Sequence, residues 1–233
     1  MINEEYMKYI AHRGFPSKAP ENSIPSFQLA ALSEAHFGIE CDIQQTKDNQ
    51  FVVFHDENLK RMTRKDLMLS DLTYDEIKEI KIKSGKNIRK YPDLSIPLFK
   101  DFLEICLATN KTAVVEIKKL NDITEAITLL NIIEAYPQLP VIIISFDINY
   151  LKFIKAISDI PLQLLVSKIS DDIIYDSRVN QFDLALDKKI VNKTLVKRLK
   201  KEGFKIAVWT VDDRKQAEFF KNIGIDFITS DKL

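Results

Sequence analysis

Eight short apolar runs, separated for the most part by amphipathic segments, constrain this sequence more than any other feature. They are Tyr9–Ala11, Gly38–Ile43, Ala113–Ile117, Val141–Ser145, Leu162–Val166, Leu184–Leu186, Lys205–Trp209 and Phe227–Thr229. Each is too short for a buried helix and the right length for a buried strand. The intervening segments include "SIPSFQLAALSEA", "ITEAITLLNIIEA", "INYLKFIKAIS", "NKTLVKRLKKEG" and "DRKQAEFFKNIG", all with helical apolar spacing. A helix-length crossover returns the chain to the same end of a sheet, so consecutive strands run parallel. Eight such units favour an α/β closed barrel of the (β/α)8 TIM type; an open doubly wound sheet is the alternative.

One region departs from this rhythm. In "GIECDIQQTKDNQFVVFHD" only "KDNQ" separates two extended runs, and Asn49 suits a left-handed turn position. The link is too short for a crossover, so Phe51–His55 is expected to form a hairpin on the second strand. Residues 57–96 are charged and irregular, with a short helix near "TYDEIKEI", and read as a small insertion above the barrel. The next helix is expected in "PLFKDFLEICLATN", with Pro97 in its first turn. No linker or low-complexity stretch divides the chain, so residues 1–233 read as one domain with one insertion.

Charge excludes some functions. Lysine plus arginine equals aspartate plus glutamate, at 34 each, so bulk charge supports neither nucleic-acid nor anionic-membrane binding. Any anion must be recognised locally. The N-terminus "MINEEYMKYIAHRG" has no apolar run of signal-peptide type, and no stretch suggests a membrane span. Two cysteines, Cys41 and Cys106, make no disulfide framework and point to a reduced, cytoplasmic protein. The oligomeric state is left open.

Glu40 and Asp42 are two apart on one strand and so share a face, with Cys41 turned toward the helices. Solvated charge is one reading of this pair. A divalent cation is the other, and oxygen-only ligands suit Mg²⁺ or Ca²⁺. Glu116 and Lys118 repeat the spacing in "VVEIKK", as either a metal-and-anion site or an internal ion pair. Of the three histidines, His12 and His55 end extended runs beside charged residues, while His36 reads as a surface or capping residue. Imidazole is the side chain best matched to proton transfer near neutral pH.

These residues, in this order, resemble the glycerophosphodiester phosphodiesterase family. The resemblance rests on "AHRG" at 11–14, "PENS" at 20–23, "IECDIQQTKDNQFVVFHDENLKRMT" at 39–63 and "VVEIK" at 114–118. It continues through "ISFD" at 144–147, "VWTVDD" at 208–213 and "GIDFITSDKL" at 224–233. It implies a (β/α)8 barrel with a small insertion, and hydrolysis of deacylated phospholipids such as glycerophosphocholine to glycerol 3-phosphate and an alcohol. It further implies His12 and His55 as a general base and general acid pair, and Glu40, Asp42 and Glu116 as ligands of the Mg²⁺ or Ca²⁺ ion. Arg13 and Lys118 then contact the phosphate, Phe146 and Trp209 wall the pocket, and Asn22 supports the site beside His12. On this reading Arg13 is free of carboxylate partners, and Gly14 turns the chain away from the substrate. The partner is a small-molecule glycerophosphodiester.

Two rival readings remain. A lysophospholipase D or sphingomyelinase D-like enzyme calls for a wide apolar mouth and a membrane-binding or secretory feature, neither of which the sequence displays. A non-catalytic barrel binding a phosphorylated ligand would be marked by a lost histidine or carboxylate, and all five are present.

Overall fold

The computed structural model describes residues 7–233. Residues 1–6, part of the segment without a signal-peptide pattern, lie outside the described residues. Strands β1 (Lys8–Ala11), β2 (His36–Gln45), β4 (Thr112–Lys119), β5 (Val141–Ser145), β6 (Leu162–Val166), β7 (Asp183–Asp187), β8 (Ile206–Trp209) and β9 (Phe227–Ser230) run parallel. Their order is β2-β4-β5-β6-β7-β8-β9-β1, and a further pairing of β1 with β2 closes the ring. That pairing decides for the barrel over the open sheet. The hairpin strand β3 (Phe51–Val53) pairs antiparallel with the last residues of β2, with Asn49 at φ 59° in the turn.

Period-two alternation sorts the strand side chains. Ala11, Ile39, Cys41, Ile43, Ala113 and Val115 point outward into the core beneath the helices. Ile10, Val114, Ile142, Ile144, Leu165, Ala185, Ala207 and Phe227 fill the barrel interior. The covering helices are α1 (Ile24–Ala31), α4 (Phe99–Ala108), α5 (Glu125–Glu134), α6 (Ile148–Ile157), α7 (Asp171–Val179), α8 (Lys193–Lys201) and α9 (Arg214–Asn222). Helix α7, "DDIIYDSRV", opens on two aspartates and is fixed by Ser170, whose hydroxyl accepts from the amide of Ile173.

The insertion holds α2 (Lys60–Thr63) and α3 (Tyr74–Ile77) with two 3₁₀ turns. It has its own small core, in which Leu59, Met62, Leu69, Ile77, Ile82 and Ile96 pack on Val52 and Phe54. Thr73 and Glu76 form a capping box at α3.

Two local expectations need correction. Pro97 precedes α4 instead of opening it: Leu98 is the N-cap, and Asp101 reaches back to accept the amide of Leu98 at 3.1 Å. His36 is buried, only 3% exposed, at the start of β2. Its ring nitrogens lie 3.2 Å from the carbonyl of Ala30 and 2.7 Å from that of Leu233, so it ties the end of α1 to the chain beyond β9. No helix among the described residues is long and apolar enough to cross a membrane.

Candidate functional site

The C-terminal ends of the barrel strands deliver the candidate residues to one mouth, as barrel geometry requires. Asp42 and Glu116 are direct neighbours across β2 and β4. Glu40 is one step lower on the same face of β2, and all three are buried. One oxygen from each lies within 4.8 Å of the others.

These residues fit a hard divalent cation. Glu40 Oε1 and Asp42 Oδ1 are buried without any hydrogen-bond partner, which is costly unless a cation satisfies them. Burial, then the charge of Asp42, pushes the Glu40 carboxyl up to about 8. The same two causes push Glu116 up to about 7. The protein's own cations offset part of this repulsion. Lys118 Nζ donates to Glu116 Oε1 at 2.7 Å and stands 3.9 Å from Asp42 Oδ1. The ion-pair reading of Glu116 and Lys118 is thus realised, at the edge of a carboxylate triad.

The "PENS" segment supports the triad directly through Asn22 and indirectly through Glu21. Asn22, at φ 51°, donates to Asp42 Oδ2 at 2.7 Å and so braces a carboxylate of the site. Ser23 caps α1. Glu21 accepts from Arg13 Nη1 at 2.9 Å. Arg13 is thus not free of carboxylates: its Nε also lies 3.2 Å from Asp42 Oδ2, and its amide donates to Glu40 Oε2 at 2.8 Å. The left-handed φ of 53° at Arg13 aims that amide at Glu40. Gly14, at φ 84°, is required for packing: a Cβ there would sit 2.5 Å from Ser26 Oγ and 2.7 Å from the Ser26 carbonyl carbon.

Both histidines line the cavity, and each is oriented by an aspartate. His12 Nδ1 lies 2.7 Å from Asp231 Oδ1, and His55 Nδ1 lies 2.7 Å from Asp56 Oδ1. An ionised carboxylate only accepts, so Nδ1 donates in both pairs and Nε2 is left to the site. The two environments then diverge. His12 Nε2 is 4.0 Å from Glu40, whereas His55 Nε2 is 3.3 Å from the ammonium of Lys118. Burial lowers the pKa of His12, but the Asp231 hydrogen bond and the charge of Glu40 outweigh it and the net shift is upward. Burial also leads for His55; Arg13 and Lys118 reinforce it against Asp42 and Asp56, and the net shift is downward.

The opposite wall, from β5 to β8, is apolar. Ile144, Phe146, Leu165, Ala185, Ala207 and Trp209 line it, closing a cavity of about 220 Å³. Phe146 and Trp209 meet edge to face at 5.6 Å, and Trp209 Nε1 donates to the carbonyl of Ala185 at 3.0 Å. Gln163 and Thr229 add polar groups to the lining.

Residues 12–233 match the model of the glycerophosphoryl diester phosphodiesterase family. The chain belongs to that family. It is 31% identical to a glycerophosphodiester phosphodiesterase of Caldanaerobacter subterraneus subsp. tengcongensis, across 95% of this chain and 93% of that one. It is 26% identical to glycerophosphodiester phosphodiesterase 1 of Mus musculus, across 96% of this chain and 78% of that one. Among solved structures, a glycerophosphodiester phosphodiesterase from Parabacteroides distasonis superposes with a TM-score of 0.79 at 27% identity, over 97% of this chain and 93% of that chain. A phosphodiesterase of Oleispira antarctica, solved with its product sn-glycerol-3-phosphate, superposes with a TM-score of 0.90 at 24% identity. That likeness covers 97% of this chain and 93% of the other.

Four site residues of this family member escape a reading of the sequence: Glu21, Asp56, Arg61 and Asp231. Asp231 lies 219 positions from His12 and Arg61 lies 40 positions from Glu21, so only the fold unites them. Asp56 did leave a signal, because it directly follows His55 where the extended run ends.

Proposed function

We propose that the protein hydrolyses glycerophosphodiesters such as glycerophosphocholine to sn-glycerol 3-phosphate and an alcohol, with His12 and His55 moving the protons. The observation that carries this reading is the arrangement of two aspartate-oriented imidazoles around a buried carboxylate triad. Glu40, Asp42 and Glu116 would hold the Mg²⁺ or Ca²⁺ ion. When bound, that ion supplies positive charge against the phosphate oxygens as the transition state forms.

Arg13 and Lys118 add fixed positive charge at the same place. The lone pair of His55 Nε2 faces Lys118 and is ready to take a proton from the attacking hydroxyl. That hydroxyl belongs to water or to the substrate's own glycerol. His12, held between Asp231 and Glu40, keeps its second proton and gives it to the departing oxygen. This order of roles is the reverse of the one the family resemblance implies. Phe146 and Trp209 exclude water on the apolar side. Incubation with glycerophosphocholine and Mg²⁺ or Ca²⁺, with and without chelator, should release glycerol 3-phosphate only when metal is present. His12→Ala and His55→Ala should each lower turnover by about 10²-fold or more in a folded protein. Absence of product across metals and head groups would refute the reading.

The apolar wall favours one second reading, removal of the head group from a lipid that keeps one acyl chain. Lysophosphatidylcholine, assayed beside glycerophosphocholine, separates the two.

A further inference from the structure

The two histidine–aspartate pairs are alike in geometry and unlike in what lies behind them. Among the described residues, Asp231 pairs its carboxylate with His12 alone. Asp56 is shared. Arg61, on α2 of the insertion, places Nε and Nη2 on the two oxygens of Asp56, the latter at 3.2 Å. The same guanidinium donates from Nη2 and Nη1 to the two oxygens of Glu21, at 2.7 and 3.1 Å. Glu21 in turn accepts from Arg13. One side chain of the insertion thus holds two carboxylates that come from different elements, and each of those holds a residue of the mouth.

We propose that Arg61 is a positioning residue for the two-histidine reaction, fixing His55 through Asp56 and Arg13 through Glu21. The inference rests on the phosphodiesterase reading above. A guanidinium suits the task because its planar fork reaches both oxygens of two carboxylates at once, where an ammonium offers only three donors from a single nitrogen. The clasp has a second effect. An aspartate neutralised by arginine pulls less on a proton at its histidine, so the clasp lowers the proton affinity of His55 and has no counterpart at His12. The groups facing His55 are Asp42 of β2, Arg13, Asp56 and Lys118 of β4, and Arg61 acts on the third of these.

The geometry also explains why the insertion is anchored where it is. Met62 follows Arg61 in the insertion's core and accepts the amides of Lys83 and Ser84 at 2.7 and 3.1 Å. Asn87 donates to the carbonyl of Lys18, next to the "PENS" turn. The first two bonds tie the insertion together, and the Asn87–Lys18 bond joins it to the segment that carries Glu21.

The test compares wild type, Arg61→Met, Arg61→Lys and Glu21→Gln, all with Mg²⁺ present. Arg61 is 47% exposed on its side chain, so the substitutions should fold, and thermal melting checks that. Arg61→Met should lower kcat on glycerophosphocholine by about tenfold or more, with a smaller rise in KM. Arg61→Lys should restore little of it. Glu21→Gln, which frees Arg13 but leaves the Asp56 clasp, should change KM more than kcat.

Histidine side-chain NMR reads the same pairing without turnover. The His55 titration should move up by about one pH unit in Arg61→Met and stay in place in Glu21→Gln. A kcat within twofold of wild type together with an unmoved His55 titration would overturn the proposal. A wild type inactive on every glycerophosphodiester would overturn the functional reading, and the NMR shift alone then decides whether Arg61 governs His55.

Discussion

Stripped of metal, this protein should lose stability as the pH rises from about 5 to 8. Glu40 and Glu116 are buried beside Asp42, and their carboxyls are pushed up to about 8 and about 7 from an ordinary 4.5. The folded chain therefore holds protons there that the unfolded chain has released. Where the folded state binds more protons, stability falls with rising pH. The contribution of these groups is complete below about 4.5 and is lost as the pH passes through 7 to 8. At about 1.4 kcal/mol for each pKa unit, Glu40 alone corresponds to roughly 5 kcal/mol. Glu116 shares the same repulsion, so the pair gives a similar total, comparable with the whole stability of a marginal domain.

Urea unfolding followed by Trp209 fluorescence, the only tryptophan in the chain, measures this with chelator present. Mg²⁺ or Ca²⁺ should flatten the curve, because bound cation keeps the carboxylates ionised in the folded state. Glu40→Gln gives the sharper outcome. Its amide oxygen can still accept the amide of Arg13, and its NH₂ can donate toward Asp42. The metal-free variant should be more stable than wild type at pH 8 by about 2 kcal/mol or more, and blind to added metal. A metal-free wild type as stable at pH 8.5 as at pH 6, or a Glu40→Gln variant less stable at both, would refute the reasoning.

Two further outcomes follow from the structure. Gly14→Ala should cost about 2 kcal/mol or more in urea unfolding, because the new methyl meets Ser26 backbone at a left-handed φ. A change under about 0.5 kcal/mol would show that the loop yields. Asp231→Asn should cut kcat/KM by at least about tenfold, since an amide no longer fixes the His12 tautomer. Its melting temperature should barely move, because the carboxylate makes no other hydrogen bond among the described residues; an equal loss of stability would assign Asp231 a structural role instead.

The strands were legible because their pattern is local. "IECDI" alternates apolar and acidic residues, and that alone puts Glu40 and Asp42 on the inside and Cys41 outside. "VVEIK" does the same for Glu116. Helix α7 gives a poorer local pattern because it carries three aspartates and an arginine, and it packs through Ile174 and Ser177 with Ile173 half-buried beside them. The surface reading of His36 failed for a related reason: a lone imidazole near a helix end gives no sign of burial, which here comes with contacts to Ala30 at the end of α1 and to Leu233.

Arg13 shows where local reading stops. Its neighbours in sequence contain no carboxylate that must pair with it, and it was read as free. In the fold it lies between Glu21 and Asp42, with Glu40 on its amide. By itself the sequence determined the barrel strands, the hairpin and the shared face of the carboxylates, because side-chain direction along a strand is fixed by covalent geometry with a period of two. Only the tertiary structure decided which groups restrain those side chains. Closure of β9 on β1 brings Asp231 to His12, and the docking of α2 brings Arg61 to Asp56 and Glu21. The His12–Asp231 and Glu21–Arg61 contacts join residues far apart in the chain, set by how the elements pack and not by any repeat in their order, while Arg61 and Asp56 are five positions apart.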